Sequence, residues 1–357
     1  MTVRNPVRSE ALADEARVAL IRDWLSGELG WPRDCRLELA SADASFRRYF
    51  RVWRPAGGTR VIMDAPPGQE DTGPYLLVTR LLQACGVHVP EVEAADSGRG
   101  LLLLEDLGTA HMLARLEGGA DPDLLYGQAL ASLALIQLRG AAAAHQLPPY
   151  SAELLEREMR LLPEWFCARH LQLVLTADDQ GLLAETFGLL IRAAQAQPVV
   201  FVHRDYHSRN LMITAERSPG IIDFQDAVAG PIGYDLVSLL KDCYIAWPRT
   251  RVAGWLAGYR GQLHAGGGSV GADLAEFQRW LDLAGLQRHL KVLGIFARLW
   301  YRDGKHAYLA DLPLTLQYVR DTAARYSELS RFSAWVERVL VPRLPAANAR
   351  AQRGVLA

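Results

Sequence analysis

The sequence predicts an α+β protein with two lobes: a small N-terminal lobe built on an antiparallel sheet and a large, mostly helical C-terminal lobe. Short segments with alternating apolar residues follow one another between residues 35 and 64, which is typical of strands and hairpins. From about residue 109 onward, apolar residues recur instead at helical spacing. We therefore place the N-terminal lobe at 1–104, a connection at 105–110 and the C-terminal lobe at 111–357.

The N-terminal lobe begins with a helix over 9–29, for which Ser9 is the predicted N-cap. The strand segments that follow are CRLELA (35–40), FRRYFRVW (46–53) and TRVIMD (59–64). PAGG at 55–58 is a predicted hairpin turn, because glycine tolerates the backbone angles of tight turns. A helix over 72–86 and two short strands precede the run LLLLEDLG at 101–108.

Helical patterns dominate the C-terminal lobe, at 122–138, 151–169, 181–195, 233–245, 275–301 and 313–340. The exception is 198–224, where VVFVHRD, NLMIT and PGIIDFQD have the composition of short strands. GGGSVG at 266–271 fits the pattern G-x-G-x-x-G, but no strand precedes it. We therefore expect a loop between helices there and no dinucleotide site.

The composition argues against several classes of protein. The chain has 39 basic and 40 acidic residues, so nothing in its charge favours nucleic acid or an anionic membrane as a partner. Its four cysteines are far apart and form no C-x-x-C pair, which argues against structural zinc and disulfides. The N-terminal residues lack the apolar run of a signal peptide, and no segment approaches 18 apolar residues. We expect a soluble, cytoplasmic protein, and no sequence signal indicates an oligomeric partner.

A polar constellation lies within the strand-like interruption. In HRDYHSRN, Asp205 and Asn210 are five residues apart, and Asp223 follows the apolar pair Ile221-Ile222. This is the spacing H-R-D-x-x-x-x-N … D-F of protein-kinase-like phosphotransferases. Phosphoryl transfer needs a carboxylate to accept the proton of the attacking hydroxyl, and hard oxygen ligands for Mg²⁺. Asp205 suits the first role, and Asn210 and Asp223 suit the second.

An alternative interpretation is that Asp205 and Asn210 only make turn hydrogen bonds, as both residue types readily do. A single H-x-D would favour that interpretation. Here three elements agree in residue type, order and spacing, and each adjoins an apolar strand, so we favour the catalytic interpretation.

At this point the sequence resembles the aminoglycoside phosphotransferase-like (choline-kinase-like) family of small-molecule kinases. The resemblance covers most of the chain and is carried by four motifs: GVHVPEV (86–92), LLLLEDLG (101–108), VHRDYHSRNLM (202–212) and IIDFQDAVAGPIGYDLVSLL (221–240). It implies a protein-kinase-like two-lobed fold with ATP as phosphoryl donor and Mg²⁺ as cofactor. It also implies that the N-terminal lobe binds the nucleotide and that 105–110 is the hinge.

The resemblance also implies roles for individual residues. Asp205 would be the base, with Asn210 and Asp223 on Mg²⁺. His207 falls on the second histidine of the family motif H-x-D-x-H-x-x-N, where a loop-fixing hydrogen bond is at least as good an interpretation as direct catalysis. Asp235 would fix the catalytic loop. The residues implied at the nucleotide are Ser45, Phe46, Arg47, Arg48, Met63, Glu105, Asp106 and Leu107.

Two further sequence segments resemble one branch of that family. MDAPPGQED (63–71) and RLWYRDGK (298–305), together with the motifs above, are similar to the kinases that phosphorylate the anomeric C1 hydroxyl of N-acetylmuramate and N-acetylglucosamine. The product would be the sugar 1-phosphate, which feeds a uridylyltransferase and UDP-sugar synthesis in peptidoglycan recycling.

One position departs from the family pattern. The strand TRVIMD should end in a lysine that binds the α- and β-phosphates, but it ends in Met63 and Asp64, and the first lysine of the chain is Lys241. Either an arginine supplies the charge or the chain is a pseudokinase that only binds nucleotide. Arginine can neutralise phosphate, and the intact base and metal ligands favour activity. We expect Arg47 or Arg48 to replace the lysine.

The acceptor should lie between the catalytic loop and the C-terminal helices. Candidates there are Arg204, Gln225, Asp226, Asp242, Tyr244, Arg302 and His306. N-acetylmuramate carries a carboxylate, for which Arg204 or Arg302 would be natural partners. The mixed, net basic run at 298–308 favours such a sugar over a polycationic aminoglycoside.

Two alternatives to the amino-sugar kinase stay open. One is a kinase of another small hydroxyl compound, such as an aminoglycoside, choline, homoserine or methylthioribose. The other is the inactive nucleotide-binding module. A P-loop enzyme is excluded, because the sequence has no G-x-x-x-x-G-K-[ST].

Overall fold

A computed structural model of the protein describes residues 6–42 and 46–356, with their side chains except those of 6–14, 41–42 and 354–356. The chain divides into two compact units. Unit 1 comprises Met1–Arg80 and Val89–Gly108, and unit 2 comprises Leu81–His88 and Thr109–Ala357.

Unit 1 contains a five-stranded antiparallel sheet with the spatial order β1-β2-β3-β5-β4. Its strands are β1 (Leu37–Ala42), β2 (Arg48–Trp53), β3 (Thr59–Asp64), β4 (Val92–Asp96) and β5 (Leu101–Glu105). Helix α1 (Pro6–Gly27) buries Ile21 and Trp24 against Phe50 and Val52 of β2. This burial of apolar surface between helix and sheet stabilises the unit. The predicted sheet-rich N-terminal lobe is confirmed.

The β2–β3 hairpin follows the prediction most closely. Its turn uses Gly57 and Gly58 at φ of 92° and 77°, angles that other residues rarely adopt. The N–H of Arg54 donates to the carbonyl oxygen of Gly58 over 3.0 Å and closes the turn. Helix α2 (Gly73–Cys85) also lies where it was predicted.

Three expectations for this region were wrong. Ser9 is not an N-cap, because α1 already begins at Pro6, and proline suits the first turn of a helix. Strand β1 continues to Ala42, two residues beyond the predicted strand segment 35–40, and 43–45 lie outside the described residues. Only β4 precedes β5 where two strands were expected; His88 forms a single isolated bridge instead.

Unit 2 is mostly helical, as predicted. Its α-helices are α3 (Met112–Glu117), α4 (Pro122–Arg139), α5 (Ala152–Met159), α6 (Ala177–Gln195), α7 (Gly233–Leu240), α8 (Arg249–Ala265), α9 (Leu274–Tyr301), α10 (Leu312–Ala323), α11 (Ser330–Trp335) and α12 (Leu344–Leu356). Segments Leu162–His170 and Val336–Leu340 are π-helical, and three short turns are 3₁₀-helical: Ala141–Gln146, His306–Asp311 and Ser327–Leu329. Within the described part, none of the helices combines the length and apolarity needed to cross a bilayer.

Two predicted helices are interrupted, for local reasons. The helix expected at 151–169 changes to π geometry after Met159, because Pro163 has no N–H for a normal helical bond. The helix expected at 313–340 breaks after Ala323. There Arg325 and Tyr326 turn to donate hydrogen bonds of 2.6 and 2.8 Å to the buried carboxylate of Asp282 on α9.

Three helices of unit 2 were not predicted, namely α3, α8 and α12. Helix α8 buries only Leu256, Tyr259 and Leu263 of its 17 residues, which is too sparse a pattern for a clear helical signal. The helix expected to run over 233–245 ends at Leu240. The predicted inter-helix loop at 266–271 does lie between α8 and α9.

Two small antiparallel ladders position the polar motif. Strands β6 (Val199–Val202) and β9 (Val228–Pro231) form one ladder, and β7 (Leu211–Met212) and β8 (Gly220–Ile221) form the other. Loop 203–210 joins β6 to β7, and segment 222–227 joins β8 to β9. Because Val202 pairs with Val228 and Leu211 with Ile221, these two segments leave the ladders side by side.

Candidate active site

The carboxylate of Asp205 lies in loop 203–210 and is partly exposed. Burial acts to raise its pKa, but electrostatic interactions, above all with the positive charge of Lys291 and then with His207, Arg288 and Arg204, outweigh this effect and hold the pKa at about 2. Asp205 is therefore ionised at neutral pH, which is the state that a proton acceptor requires.

The loop that carries Asp205 is fixed by Asp235, whose side chain is fully buried in α7. Its two carboxylate oxygens accept hydrogen bonds from the backbone N–H groups of His203 at 2.6 Å and Arg204 at 2.9 Å. These bonds hold Arg204 at a φ of 77°, an angle that is strained for a residue with a side chain. Burial raises the pKa of Asp235 to about 7. The predicted support role of Asp235 is confirmed.

The imidazole of His203 provides a second fixation point. Burial lowers its pKa to about 4, so the ring is neutral at pH 7. Its Nδ1 accepts the N–H of Asp205 over 3.2 Å, and its Nε2 then donates to the carbonyl oxygen of Ile222 over 3.1 Å. The ring thereby joins loop 203–210 to the segment that carries Asp223.

Asn210 and Asp223 are in direct contact. The amide nitrogen of Asn210 donates to Asp223 Oδ2 at 3.3 Å and to the carbonyl oxygen of Asp205 at 3.0 Å. Asp223 adopts a φ of 64° and also accepts a 2.8 Å hydrogen bond from Gln225 Nε2 at Oδ1. The structure thus brings together the predicted base and both predicted metal ligands.

The donor set at Asn210 and Asp223 fits Mg²⁺. Because the amide nitrogen of Asn210 is used within the protein, its amide oxygen is the atom left for a hard cation, beside the carboxylate of Asp223. The described residues contain no group of three or more His, Cys, Asp or Glu side chains suited to a metal. Two oxygen ligands suffice for Mg²⁺ in such sites, since phosphates and water complete its octahedron.

His207 is buried, and burial lowers its pKa, so the imidazole is neutral. Its backbone N–H donates to the carbonyl oxygen of Asp205 over 3.0 Å, and its ring centroid lies 5.4 Å from that of Tyr244. Within the described part of the chain, its Nδ1 has no hydrogen-bond partner. The catalytic role of His207 stays a prediction.

Two of the predicted sugar ligands are engaged in hydrogen bonds, and their roles toward a sugar stay predictions. Asp242 is fully buried and accepts hydrogen bonds from Ser208 N at 3.0 Å, Ser208 Oγ at 2.6 Å and Tyr244 N at 3.1 Å. The guanidinium of Arg204 binds Glu158 at 2.5 Å and the carbonyl oxygen of Asp226 at 3.2 Å. Both side chains therefore have structural partners within unit 2.

The remaining sugar candidates differ in their surroundings. Gln225 is buried against Asp223, and Asp226 is exposed. Tyr244 is half-buried beside His207. Arg302 pairs with the adjacent Asp303 at 2.7 Å, and no contact among the described residues joins it to loop 203–210. Their roles toward a sugar stay predictions.

In unit 1, Asp64 lies at the end of β3, where the resemblance to the kinase family predicts a lysine. Its carboxylate is fully buried and accepts hydrogen bonds from Arg48 Nη2 at 2.7 Å and from Arg17 Nε at 2.9 Å. Met63 is buried beside it. The acid at the end of β3 thus orients an arginine from β2.

The other nucleotide candidates precede Arg48 or follow Asp64 in the sequence. Ser45 lies outside the described residues. Phe46 is exposed and donates its N–H to Glu70 Oε1 over 3.1 Å, while Arg47 is buried with Nη1 at 3.7 Å from Glu70 Oε2. Leu107 is half-buried.

The predicted hinge residues are ordered within unit 1. Asp106 accepts hydrogen bonds from Arg51 Nε at 2.6 Å and Nη2 at 3.0 Å, and from the N–H of Gly108 at 2.9 Å. Burial acts to raise the pKa of Asp106, but the hydrogen bonds from Arg51 and other donors lower it overall. The N–H of Glu105 donates to the carbonyl oxygen of Glu91 over 2.9 Å. The Asp106 side chain therefore shapes the segment, and the contact of its backbone groups with adenine stays a prediction.

Lys291, Glu158 and Arg288 were missed by the sequence reasoning. Lys291 lies on α9, is buried, and pairs with Glu158 of α5 at 3.1 Å. The positive charges of Lys291 and Arg288 lower the pKa of Asp205. A signal was present, because Lys291 is one of three lysines and stands in the otherwise apolar run LKVLGI.

Comparison with known proteins agrees with this geometry. The chain matches the phosphotransferase enzyme family over residues 36–277. It is 45% identical to the N-acetylmuramate/N-acetylglucosamine kinase of Pseudomonas putida, over 89% of this chain and 91% of that protein. It is 43% identical to the protein of the same name from Pseudomonas aeruginosa, over 89% of this chain and 96% of that protein.

A solved structure supports the fold. A choline/ethanolamine kinase family protein from Mesorhizobium loti superimposes with a TM-score of 0.59 at 16% identity, covering 91% of this chain and 98% of that one. At this identity the likeness concerns the fold alone. The predicted protein-kinase-like fold, with an antiparallel N-terminal sheet and a helical C-terminal part, is confirmed.

Proposed function

The chain belongs to the phosphotransferase enzyme family, and on this premise we propose that it phosphorylates the anomeric C1 hydroxyl of N-acetylmuramate and N-acetylglucosamine with ATP. The observation that carries the proposal is the proximity of Asp205, Asn210 and Asp223. The side-chain amide nitrogen of Asn210 donates both to the carbonyl oxygen of Asp205 and to the carboxylate of Asp223. The similarity to two kinases named for these sugars supports the choice of acceptor.

In this mechanism Asp205 accepts the proton of the C1 hydroxyl. The hydroxyl oxygen forms a bond to the γ-phosphorus of ATP, the bond from that phosphorus to the bridging oxygen breaks, and ADP leaves with the bonding electrons. The low pKa of Asp205 keeps the carboxylate ionised, and the bonds from Asp235 to the backbone of loop 203–210 keep it in place. The protein's main contribution is therefore positioning.

Asn210 and Asp223 would hold Mg²⁺ through their side-chain oxygens. When bound there, Mg²⁺ neutralises the charge of the ATP phosphates. Gln225 keeps Asp223 oriented through a 2.8 Å hydrogen bond.

Arg48 takes the place of the missing lysine in this proposal. Its guanidinium is oriented by the buried Asp64, so an arginine–aspartate pair replaces the usual lysine-centred arrangement. This argument supports an active kinase over a pseudokinase. Backbone groups of Glu105, Asp106 and Leu107 would bind the adenine.

The proposed product is the sugar 1-phosphate, a substrate for a uridylyltransferase in peptidoglycan recycling. A cytoplasmic location belongs to this proposal, because the reaction uses ATP. The four cysteines, which are all free thiols, fit that location.

The test is a panel of acceptors incubated with ATP and Mg²⁺: N-acetylmuramate, N-acetylglucosamine, kanamycin and choline. We expect ADP release only with the amino sugars, and a phosphorus NMR signal that couples to the anomeric proton. Phosphorylation of kanamycin or choline alone would point to another acceptor. Nucleotide binding without turnover on any acceptor would point to the inactive module.

The catalytic role of Asp205 is tested by Asp205→Asn. We expect kcat to fall by about three orders of magnitude or more while the dissociation constant for ATP stays within about threefold, since the amide cannot accept the proton. Retention of more than about a tenth of wild-type kcat would contradict Asp205 as the base.

A further inference from the structure

Arg209 lies one residue before Asn210 in loop 203–210, and its guanidinium is held against aromatic rings. Its Cζ lies 3.6 Å from the ring centroid of Tyr244 and 5.6 Å from that of Tyr308. Stacking on a ring leaves the N–H groups at the edge of the guanidinium available to a planar acceptor. Arg209, Tyr244 and Tyr308 are all half-buried, so this cation is partly desolvated yet accessible.

Arg209 is connected to the proposed base, Asp205, through Tyr244 and His207. The ring of Tyr244 is 5.4 Å from that of His207, and His207 bonds through its N–H to the carbonyl oxygen of Asp205 at 3.0 Å. The charges of both Asp205 and Arg209 act on His207. Contacts through Tyr244 and His207 therefore connect Arg209 to the part of the loop that carries Asp205.

The guanidinium of Arg209 differs in its partners from those of Arg204 and Arg302, the two arginines that the sequence suggested for the sugar. Arg204 is bound to Glu158 at 2.5 Å, and Arg302 to Asp303 at 2.7 Å. For Arg209, no carboxylate of the described ranges forms an ion pair with the guanidinium. Asp311 is close enough for the charge of Arg209 to lower its pKa, which burial nevertheless raises to about 6.

We propose that Arg209 binds the carboxylate of N-acetylmuramate and thereby determines the preference between the two amino sugars. This inference rests on the proposed function. The two sugars differ only in the lactyl ether on O3, and one ring carbon separates C3 from the reacting C1. The carboxylate of N-acetylmuramate is therefore close to the reacting hydroxyl. Its distance from that hydroxyl is comparable to the distance over which His207, Tyr244 and Arg209 extend from Asp205. Arginine binds carboxylate through two parallel hydrogen bonds.

The experiment compares steady-state kinetics of wild type and Arg209→Gln with each sugar at saturating MgATP. We expect kcat/KM for N-acetylmuramate to fall about tenfold or more, mainly through KM, while kcat/KM for N-acetylglucosamine changes less than about threefold. Arg209→Lys should restore part of the N-acetylmuramate activity, because it keeps the charge but not the two-bond geometry. In the wild type, KM for N-acetylmuramate should rise with ionic strength, and this dependence should weaken in Arg209→Gln.

The matched control is Arg279→Gln, since the guanidinium of Arg279 also stacks on a tyrosine, 4.9 Å from the ring of Tyr326, and pairs with Glu328 at 2.5 Å. It should alter neither sugar preference nor salt dependence. Equal losses on both sugars in Arg209→Gln would overturn the inference and give Arg209 a structural role. Unchanged kinetics on both would overturn it as well. A wild type that phosphorylates neither sugar overturns the proposed function and this inference together, whereas the other two outcomes leave the proposed function intact.

Discussion

At the scale of single residues, the ionisation of Asp205 depends on charges far away in the sequence. Lys291 is the strongest of these, and it is buried on α9 beside Glu158 and Arg204. Buried ion pairs often contribute little net stability, because desolvation cancels the attraction. We therefore interpret this cluster mainly as a means of keeping Asp205 ionised.

This interpretation predicts the effect of Lys291→Met on the pH dependence of kcat/KM. Lys291 lowers the pKa of Asp205, so its removal should raise that pKa from about 2. The acidic limb, where protonation of Asp205 abolishes proton acceptance, should then move to higher pH relative to the wild type. The measurement is kcat/KM for N-acetylglucosamine from pH 9 down to the lowest pH at which both proteins stay folded, expressed as the ratio of variant to wild type.

Lys305→Met is the control for that profile. It removes the same charge at another place, because Lys305 acts on Asp303. It should leave the acidic limb unchanged. Circular dichroism at each pH verifies that Lys291→Met is folded, since Glu158 loses one partner. An unchanged limb in the folded variant would show that Lys291 does not control Asp205.

At the scale of secondary-structure elements, strand register explains how an acid can stand at the lysine position. In the β2–β3 ladder Arg48 lies directly opposite Asp64. Directly paired residues have neighbouring side chains, so a cation on β2 can occupy the region that a lysine at the end of β3 would reach. Sequence alone left Arg47 and Arg48 as equal candidates, and the register favours Arg48.

We expect Arg48→Ala to raise KM for ATP about tenfold or more, with a smaller effect on KM for the sugar, because a phosphate partner is lost. Arg47→Ala should have a smaller effect. Arg36→Ala serves as the control: Arg36 is in unit 1, stacks on Trp53 at 3.9 Å and pairs with Glu38 over 2.8 Å. Unchanged ATP kinetics in both Arg47→Ala and Arg48→Ala would refute the replacement of the lysine by either.

The packing of α9 depends on one small residue. A Cβ at Gly294 would lie 2.3 Å from the backbone carbonyl carbon of Leu161, at the start of the π-helical segment. The two segments can approach this closely only because Gly294 has no side chain. Helix α9 also carries Arg288 and Lys291. A shift of the helix would therefore move these two positive charges relative to Asp205.

We predict that Gly294→Ala lowers the free energy of unfolding by about 1–3 kcal/mol, because the helix must shift to admit the methyl group. Denaturant unfolding of the purified variant measures this change. Gly254→Ala in α8 is the matched control, since its Cβ would meet nothing within 4 Å. There alanine should stabilise by about 0.5–1 kcal/mol through helix propensity. Equal stabilities of the two variants would contradict the close contact at Gly294.

At the scale of the whole molecule, nucleotide binding and stability should be coupled through the metal ligands. A ligand that binds only the folded state at 100 times its dissociation constant adds about 2.7 kcal/mol to the free energy of unfolding. The affinity of ADP should depend on Mg²⁺ if Asn210 and Asp223 hold the ion.

MgADP should therefore raise the melting temperature, and EDTA should remove most of that increase. Asp223→Asn should lose the Mg²⁺-dependent part, because an amide is a weaker ligand than a carboxylate. Asp178→Asn, at an exposed site on α6, should keep it. A Mg²⁺-dependent shift of wild-type size in Asp223→Asn would exclude Asp223 as a metal ligand.

The fold class, the main strands and the candidate catalytic constellation could all be predicted from the amino-acid sequence. Those features depend on local patterns: alternation in β1 and β2, helical spacing in α4 and α9, and the short spacing from Asp205 through Asn210 to Asp223. Helix ends were less predictable, as at Ser9 and after Met159, because a proline or a distant hydrogen bond decided them.

The partner of each charged side chain could not be predicted from the sequence and became clear from the packing of the folded chain. Arg204 belongs to Glu158, Arg48 to Asp64 and Asp242 to Ser208, while Arg209 stacks on Tyr244. Side-chain partners far apart in the chain depend on which faces of helices and strands pack together. Local spacing does not encode this, because an arginine on an exposed face and one on a buried face have the same sequence signature.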